Sequence, residues 1–392
     1  MTGRASGPVV LGEASTRLAA LPAARVTRTA AGAALAPSLP TDGRVLLGTD
    51  RALDGATAKY LGVPDGNRSV VIPSVTVELG GRDYALAVKG VGALASLYGD
   101  SPLDYALASD FDVGAPTASA AVESPRVVTD EAWMGEAPYG AQGGAGAAQA
   151  LEVSALADGA SIHGFFVCPT IAIAEIPEEL VDRERFWYRR YRGRAVQEHR
   201  LFPSNVRLYH SSTHALGQSP REVLEAFGVT DRQALDAFVD RYLASGTAAL
   251  TLWARTVREG ADGPEGLDFD DVWLDKDSVV APDGTLHFAD LEALEWTSAR
   301  DGAAARRIRH QVDRNYYELL YGLDAVLKAA EERDGRRPTS RQRRGVLAER
   351  WEMALAGDPF VELRRTDDGL DLVVLPHGPL REAVTVRLLD TR

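Results

Sequence analysis

The chain has 392 residues, of which 45% are hydrophobic and 25% are charged, and its formal net charge is -13. This acidic balance argues against a general nucleic-acid-binding surface, and the one cysteine, Cys168, excludes an internal disulfide and every cysteine-based zinc site. No apolar run is long enough to span a membrane, and residues 1–16 lack the continuous apolar core of a secretory signal. We therefore expect a cytoplasmic protein with no nucleic-acid or membrane partner.

The first part of the chain predicts a leader and then a β-hairpin. Residues 1–40 are Ala-rich, polar and weakly patterned, which indicates a partly ordered leader. In VVIPSVTVELGGRDYALAVKGVG, valines alternate with polar residues before a Gly-Gly turn, and a return strand follows. Lys89 stands at the end of that return strand, and Gly90 and Gly92 come directly after it.

The middle of the chain predicts a helix, buried strands and then more helices. GAQGGAGAAQALEVSALADG changes from a Gly-rich loop to a helical composition that carries Glu152, and FFVCPTIAIAEI follows as a buried strand pair or one long strand. Residues 183–207 are strongly basic and aromatic, against the acidic trend of the whole chain. Ser219 and Thr230 are the expected N-caps of the two helices that follow.

An acidic hairpin comes next. Asp271, Asp275 and Asp277 precede the short strand of SVV, a Pro-Asp-Gly turn follows, and the strand of LHF ends close to Asp290. Two strands joined by a tight turn, each with acids at one end, can hold a divalent cation.

The C-terminal part predicts amphipathic helices at about 303–332 and 340–356 and a small terminal hairpin formed by GLDLVVLPHG and EAVTVRLLD. The common catalytic patterns are absent from the chain: it has no GxxxxGK[ST] phosphate loop, no HExxH, no CxxC and no GxSxG. Nucleotide chemistry, if present, must therefore use another arrangement.

The remaining candidates follow the order of functional residues in protein kinases. A strand lysine such as Lys89 can neutralise nucleotide phosphates, and a helix glutamate such as Glu152 can pair with that lysine. An oxygen ligand on each side of the acidic hairpin, Asp277 and Asp290, can hold the magnesium ion that bridges the phosphates. The residues and their order predict ATP and Mg²⁺ as cofactors.

Four segments make the prediction more specific: KGVG, PYGAQGGAGAAQAL, CPTIAIA and RLFPSNVR. In this order they resemble the selenoprotein O family, whose members have a protein-kinase fold and transfer AMP from ATP to protein hydroxyl groups. The resemblance covers roughly residues 70–292. It implies a nucleotide bound in the flipped direction, with Arg200 and Arg207 on the terminal phosphates and a further contact from Arg190 or Arg192.

The chain departs from the family pattern at three places. Glu152 lies one helical turn from Leu156, the position that the family pattern gives to the glutamate partner of the lysine. The family's DGR is replaced by Ala-Gly-Ala, and its NTDN loop corresponds to Leu-Asp-Lys-Asp, residues 274–277. An aspartate therefore replaces the metal-binding asparagine, and the resemblance leaves the role of base to Asp275 or Asp271.

We predict an α+β, protein-kinase-like two-lobed fold. Residues 41–177 would form a β-rich N-lobe with the nucleotide-binding lysine, and residues 178–392 a helical C-lobe with the acidic hairpin. The predicted activity is transfer of AMP to a hydroxyl of a protein or peptide. Two alternatives stay open: transfer of the γ-phosphate to a small molecule or peptide, and an inactive pseudokinase that binds a partner through the basic, aromatic strip at residues 187–194.

Overall fold

The computed structural model describes residues 7–12, 15–49, 56–60, 69–93, 142–177, 194–207, 219–269, 274–299, 303–335, 340–367 and 369–390. Helices and strands are mixed along these ranges, which confirms the α+β class. No described helix combines the length and the apolar character needed to cross a membrane.

The strands are β1 (Ser15–Pro22), β2 (Arg25–Arg28), β3 (Arg44–Thr49), β4 (Ala56–Tyr60), β5 (Ser69–Leu79), β6 (Arg82–Lys89), β7 (Gly92–Ala93), β8 (Gln142–Gly143), β9 (Ser161–Ile162), β10 (Phe165–Val167), β11 (Thr170–Glu175), β12 (Ala195–Phe202), β13 (Arg258–Gly260), β14 (Gly263–Asp268), β15 (Ser278–Val280), β16 (Leu286–Phe288), β17 (Glu295–Ser298), β18 (Val361–Thr366), β19 (Gly369–Val374) and β20 (Val384–Asp390). The α-helices are α1 (Ala30–Leu35), α2 (Gly144–Ala155), α3 (Pro220–Ala226), α4 (Arg232–Leu250), α5 (Leu252–Arg255), α6 (Leu274–Asp277), α7 (Ala304–Arg333) and α8 (Ser340–Ala354), and 3-10 turns lie at Ala36–Ser38 and Leu291–Ala293.

The chain divides into two compact units. The first comprises residues 1–160, 168–206 and 215–217, and the second comprises residues 161–167, 207–214 and 218–392. This division differs from the predicted boundary between residues 177 and 178, because strand pairing crosses that point. β12 returns to the first unit between β11 and β6, whereas β10 pairs in parallel with β16 of the second unit.

The first unit is built on a ten-stranded sheet in the order β2-β11-β12-β6-β5-β4-β1-β3-β7, with β8 attached to β12. Within it, β5 and β6 form the predicted hairpin around Gly80 and Gly81, both of which have positive φ. β1 lies between β3 and β4, and β2 pairs with β11. β1 and β2 are therefore strands of the main sheet, in contrast to the partly ordered leader predicted for residues 1–40.

The sheet bends back on itself, and one side chain shows this directly. Gln197 of β12 donates its amide to the carbonyl oxygens of Leu46 (2.6 Å) and Gly90 (2.9 Å), and its Oε1 accepts from the backbone N–H of Leu46 at 2.7 Å. Leu46 belongs to β3, which is far from β12 in the strand order. The enclosed apolar core includes Leu46, Val70 and Leu201 and extends over β1, β3, β5, β6, β11 and β12.

The second unit combines helices α3 to α8 with three small sheets, so it is less purely helical than predicted. The sheets are ordered β15-β16-β10-β9, β13-β14-β17 and β18-β19-β20. The predicted terminal hairpin gains a third strand, β18, which pairs with β19.

Two helix starts in this unit illustrate how local chemistry sets the boundaries. Ser219 caps α3 with a complete capping box, in which its hydroxyl accepts from the N–H of Glu222. The cap of α4 is Asp231 and not the predicted Thr230, because the Asp231 carboxylate accepts from the N–H of Ala234 at 2.8 Å. The prediction was correct for the first helix and one residue early for the second.

The turn of the acidic hairpin packs against α4 through a glycine. Gly284, between β15 and β16, has φ of 95°, and a Cβ added there would lie 2.3 Å from the carbonyl oxygen of Phe238. Asp283 in the same turn accepts from the N–H and hydroxyl of Thr285. The acidic hairpin is therefore held against the helix by contact with backbone atoms.

We expect Gly284→Ala to destabilise the second unit by about 1–3 kcal/mol, because the methyl group would combine an unfavourable φ with a backbone clash. Urea unfolding monitored by tryptophan fluorescence measures the change. Gly228→Ala is the matched control, since that glycine also has positive φ but no atom lies within 4 Å of its added Cβ. Equal losses for the two variants would show that the approach to Phe238 has no energetic consequence.

Candidate functional site

The predicted nucleotide-binding lysine lies in a buried polar cluster of the first unit. Lys89 ends β6 and is 6% exposed. β12 places Glu198 directly opposite Lys89, and β5 places Ser69 opposite it on the other side. Directly opposite residues in antiparallel strands project from the same face, with Cβ atoms about 4.5–5.5 Å apart. The side chains of Lys89 and Glu198 therefore lie on the same face of the sheet.

Arg200 belongs to the same face of β12, two residues beyond Glu198, and it is also buried. Its Nη2 donates to the hydroxyl of Ser69 at 3.2 Å, and its guanidinium carbon lies 5.1 Å from the ring centroid of Phe202. These contacts orient a rigid cation, which is the form of side chain that recognises phosphate oxygens.

Glu198 is 1% exposed and only one of its oxygens is satisfied. Its Oε2 accepts from the hydroxyl of Thr170 at 3.2 Å, and the N–H of Thr170 in turn donates to Ser154 of α2 at 2.8 Å. Its Oε1 has no hydrogen-bond partner among the described residues. Because a buried carboxylate is costly unless it is paired, this oxygen marks a place where a cation is expected.

Glu198 was not among the residues predicted from the sequence. The segment AVQEHRLF does contain a signal, since four consecutive polar residues lie inside a strand in which every residue is buried. Alternation of polar and apolar residues cannot show which face of the strand each of these four residues occupies, because polar residues lie on both faces. The inner face carries Gln197 and the outer face carries Glu198, and only the pairing of β12 with β6 separates them.

The structure differs from the prediction at Glu152. This residue lies on α2 but its side chain is exposed, whereas the buried positions of the helix include Ala150 and Val153. Lys89, by contrast, is buried. The helix register, one turn away from the family position, explains the difference.

The two glycines after Lys89 have backbone roles. Gly90 has φ of 90°, a backbone conformation that residues with a side chain rarely adopt, and its carbonyl oxygen accepts a hydrogen bond from the side-chain amide of Gln197. Gly92 lies in β7, which pairs in parallel with β3 opposite Leu47. The KGVG segment thus redirects the chain at the end of β6, and the positive φ of Gly90 favours glycine at that position whether or not the segment also approaches a nucleotide.

The second group of predicted residues lies in the second unit, at one end of the β15–β16 hairpin. The N–H of Ala289 donates to the carbonyl of Asp277 at 2.7 Å, which continues the register that pairs Ser278 with Phe288. Asp277 is 7% exposed, and Asp290 directly follows Ala289 and is half-buried. The backbone therefore brings these two acids to the same end of the hairpin, as predicted from the strand lengths.

Arg207 lies beside this acidic pair. Its Nη1 is 4.0 Å from Oδ1 of Asp277, and its backbone forms an isolated antiparallel bridge with Val279 of β15. A predicted phosphate ligand and a predicted metal ligand are thus neighbours. Asp275 lies in α6, and Arg192 and Asp271 lie outside the described residues.

The acids present suit a magnesium ion that is brought in with a nucleotide. Within the ranges that the structure describes, no group of three or more His, Cys, Asp or Glu residues is placed to hold a metal. Mg²⁺ is commonly held by one or two carboxylates together with substrate phosphates, so two aspartates are enough for a nucleotide-dependent site. Asp277 and Asp290 fit that role by number and by ligand type.

Comparison of the chain with protein-family models, with curated proteins and with solved structures finds no match. The resemblance of its motifs to the selenoprotein O family therefore stays a prediction.

Proposed function

We propose that this chain is a cytoplasmic, kinase-like transferase that uses ATP and Mg²⁺ to move AMP onto a hydroxyl of a protein or peptide. The observation that supports the proposal most is the buried cluster of Lys89, Glu198 and Arg200 on one face of β6 and β12. Burying two cations and a carboxylate is costly, and recognition of a polyanionic ligand is a function that offsets the cost.

The proposed roles follow from the chemistry of each side chain. Lys89 and Arg200 neutralise the charge of phosphate oxygens. Arg207, which lies beside Asp277, has the same role. Asp277 and Asp290 hold the magnesium ion, which when bound supplies positive charge to the phosphates.

In the reaction, the acceptor oxygen forms a bond to the α-phosphorus, the bond from that phosphorus to the bridging oxygen breaks, and pyrophosphate leaves. The proton of the acceptor hydroxyl passes to a carboxylate, for which the sequence offers Asp275 or Asp271. Positioning and charge supply most of the rate enhancement in chemistry of this kind.

The test is incubation of the protein with Mg²⁺ and ATP labelled on either the α- or the γ-phosphate. We expect α-label in protein, pyrophosphate as product, and a loss of transfer of at least about 100-fold in Lys89→Ala and Asp290→Ala. Asp313→Ala is the control, because Asp313 is an exposed acid of α7.

The other outcomes separate the alternatives. Transfer of γ-label alone, with release of ADP, would identify a phosphotransferase. A protein that transfers neither label and shows no Mg²⁺-dependent binding of ATP would be a partner-binding pseudokinase, and the catalytic proposal would be wrong.

A further inference from the structure

We infer that Gln311 of α7 is a positioning residue that fixes the end of the acidic hairpin where Asp277 and Asp290 lie. The inference deepens the proposed function and rests on it for the role of the two acids. The link between α7 and the hairpin follows from contacts within the second unit and can be measured without a nucleotide.

Both ends of the Gln311 side-chain amide hydrogen-bond to other elements of the unit. Gln311 is 2% exposed. Its Oε1 accepts from the backbone N–H of Trp253 in α5 at 2.9 Å, and its Nε2 donates to Oδ1 of Asp268 at the end of β14 at 3.0 Å. A carboxylate only accepts and a backbone N–H only donates, so these partners fix the orientation of the amide. One side chain of α7 therefore holds both α5 and β14 in place.

Asp268 connects this anchor to the residue that follows it. Its Oδ1 also accepts from the N–H of Phe269 at 2.9 Å, and its Oδ2 lies 3.8 Å from Nη1 of Arg307. Arg307 and Gln311 lie one turn apart on α7, so the helix engages both oxygens of the carboxylate. Asp268 is 2% exposed, and removing a partner from a buried carboxylate is costly, so its position depends on α7.

The ring of Phe269 carries the link to the acidic hairpin. Phe269 is 1% exposed, and its ring stacks on that of Phe288 with the centroids 5.4 Å apart. Phe288 is the last residue of β16 and lies two residues before Asp290. Between them, Ala289 donates its N–H to the carbonyl of Asp277 at 2.7 Å. Because protein interiors are close-packed and transmit displacement, a shift of the Phe288 ring moves the backbone segment that carries both acids.

A second buried amide of α7 provides a matched control. Asn315 lies one turn beyond Gln311 and is 1% exposed. Its Nδ2 donates to the carbonyl of Gln311 at 3.0 Å, so this bond stays within the helix. Among the described residues, Asn315 therefore shares the burial and the amide of Gln311 but not its bonds to α5 and β14.

Hydrogen exchange of the full chain in its native state tests the link. Gln311→Met keeps the approximate length of the side chain and removes both hydrogen bonds. We expect exchange of the Ala289 amide to accelerate at least about 10-fold more than exchange of the Leu243 amide in α4, because the loss opens the end of the hairpin locally and does not only lower the stability of the whole unit. NMR that resolves single amides provides the measurement.

Phe269→Leu is the second variant, because it removes the stacked ring without a change in α7. It should give the same local pattern. In the double variant with Gln311→Met, the acceleration at Ala289 should be smaller than the product of the two single effects, since both changes act on one chain of contacts. Asn315→Leu should accelerate exchange at Ala289 and Leu243 equally. Equal acceleration at these two amides in Gln311→Met, or fully multiplicative effects in the double variant, would overturn the inference.

Measurements with nucleotide separate this inference from the proposed function. If the proposed function holds, Gln311→Met should raise the Mg²⁺ concentration that gives half-maximal transfer by about 10-fold, because displaced carboxylates bind the metal less well, and Asn315→Leu should leave it unchanged. An unchanged Mg²⁺ requirement in an active Gln311→Met protein would overturn the positioning role. Locally faster exchange at Ala289 in a protein that binds no Mg²⁺-ATP would contradict the proposed function and leave the link from α7 to the hairpin established.

Discussion

Replacing Asp358 with alanine is expected to lower the free energy of unfolding of the second unit by about 3–5 kcal/mol, because the buried guanidinium of Arg255 would lose its counter-charge. Nη2 of Arg255 lies 2.7 Å from Oδ2 of Asp358, and the Arg255 side chain is only 2% exposed. Burial lowers the pKa of Arg255, and the adjacent Asp358 carboxylate opposes that effect. The ion pair is therefore a requirement for keeping this cation inside the unit.

The remaining contacts of Arg255 explain why it is retained there. Nη1 donates to the carbonyl of His163 at 3.0 Å, Nε donates to the hydroxyl of Thr251 at 2.9 Å, and the guanidinium stacks 5.0 Å from the ring centroid of Phe360. One side chain thus connects the loop before β10, the segment before α5 and the start of β18. Asp358 also accepts from the N–H groups of Phe360 and Val361. Replacing Asp358 with alanine therefore removes both the ion pair with Arg255 and the hydrogen bonds that hold this turn.

Urea unfolding of the full chain, followed by tryptophan fluorescence, measures the effect of Asp358→Ala. Trp253 and Trp351 are both fully buried in this unit and report on it. Glu265→Ala is the control, because the Arg258–Glu265 pair has the same 2.7 Å separation but an exposed arginine, and exposed pairs contribute at most about 1 kcal/mol. The double variant Arg255→Met with Asp358→Ala should recover part of the loss, and equal losses for the two pairs would contradict the expectation.

Acidification is expected to destabilise the first unit through His199, by about 3 kcal/mol between neutral pH and pH 4. His199 lies on β12, is 3% exposed, and its Nε2 has no hydrogen-bond partner among the described residues. Burial lowers the pKa of His199 from 6.5 to about 4. The Asp42 carboxylate and a hydrogen bond to the backbone of Arg44 oppose this lowering, and the Arg28 guanidinium adds to it.

The sign of this pH dependence follows from the number of protons that His199 binds in the folded and in the unfolded state. Above pH 6.5 the ring is neutral in both states and contributes no pH dependence. As the pH falls from 6.5 towards 4, the unfolded chain takes up a proton that the folded chain excludes, so the stability contributed by the neutral ring is progressively lost. Below the folded pKa the loss is complete.

Urea titrations of wild type and His199→Gln across this pH range test the expectation. Carboxylates also titrate in acid, so the relevant quantity is the difference between the two proteins at each pH. We expect this difference to shift in favour of His199→Gln as the pH falls, with protection of the β12 amides in hydrogen exchange following the same trend. A difference that stays constant with pH would show that His199 does not take part in the acid transition.

Local sequence patterns were sufficient for several elements. Alternating valines and a Gly-Gly turn predict β5 and β6, Ser219 as an N-cap predicts the start of α3, and apolar spacing predicts the long helix α7. The acidic hairpin and the position of Asp290 after its second strand also follow from short-range signals. Each of these features depends on residues within about one or two turns or one hairpin, where propensity and spacing act directly.

Long-range pairing decided the rest. Residues 15–28 look like a leader by composition, yet β1 and β2 become strands because β3, β4 and β11 satisfy their backbone groups.

The sequence by itself determined the nature of the candidate residues, a strand lysine, basic side chains and paired acids, and the existence of the two hairpins that carry them. The tertiary structure decided which carboxylate faces Lys89, because β12 is joined to β6 across more than a hundred residues and no local period records which of its polar residues face outward. It also decided that Arg255 and His199 are buried, since the desolvation of a charged or titratable group depends on what the rest of the chain packs around it.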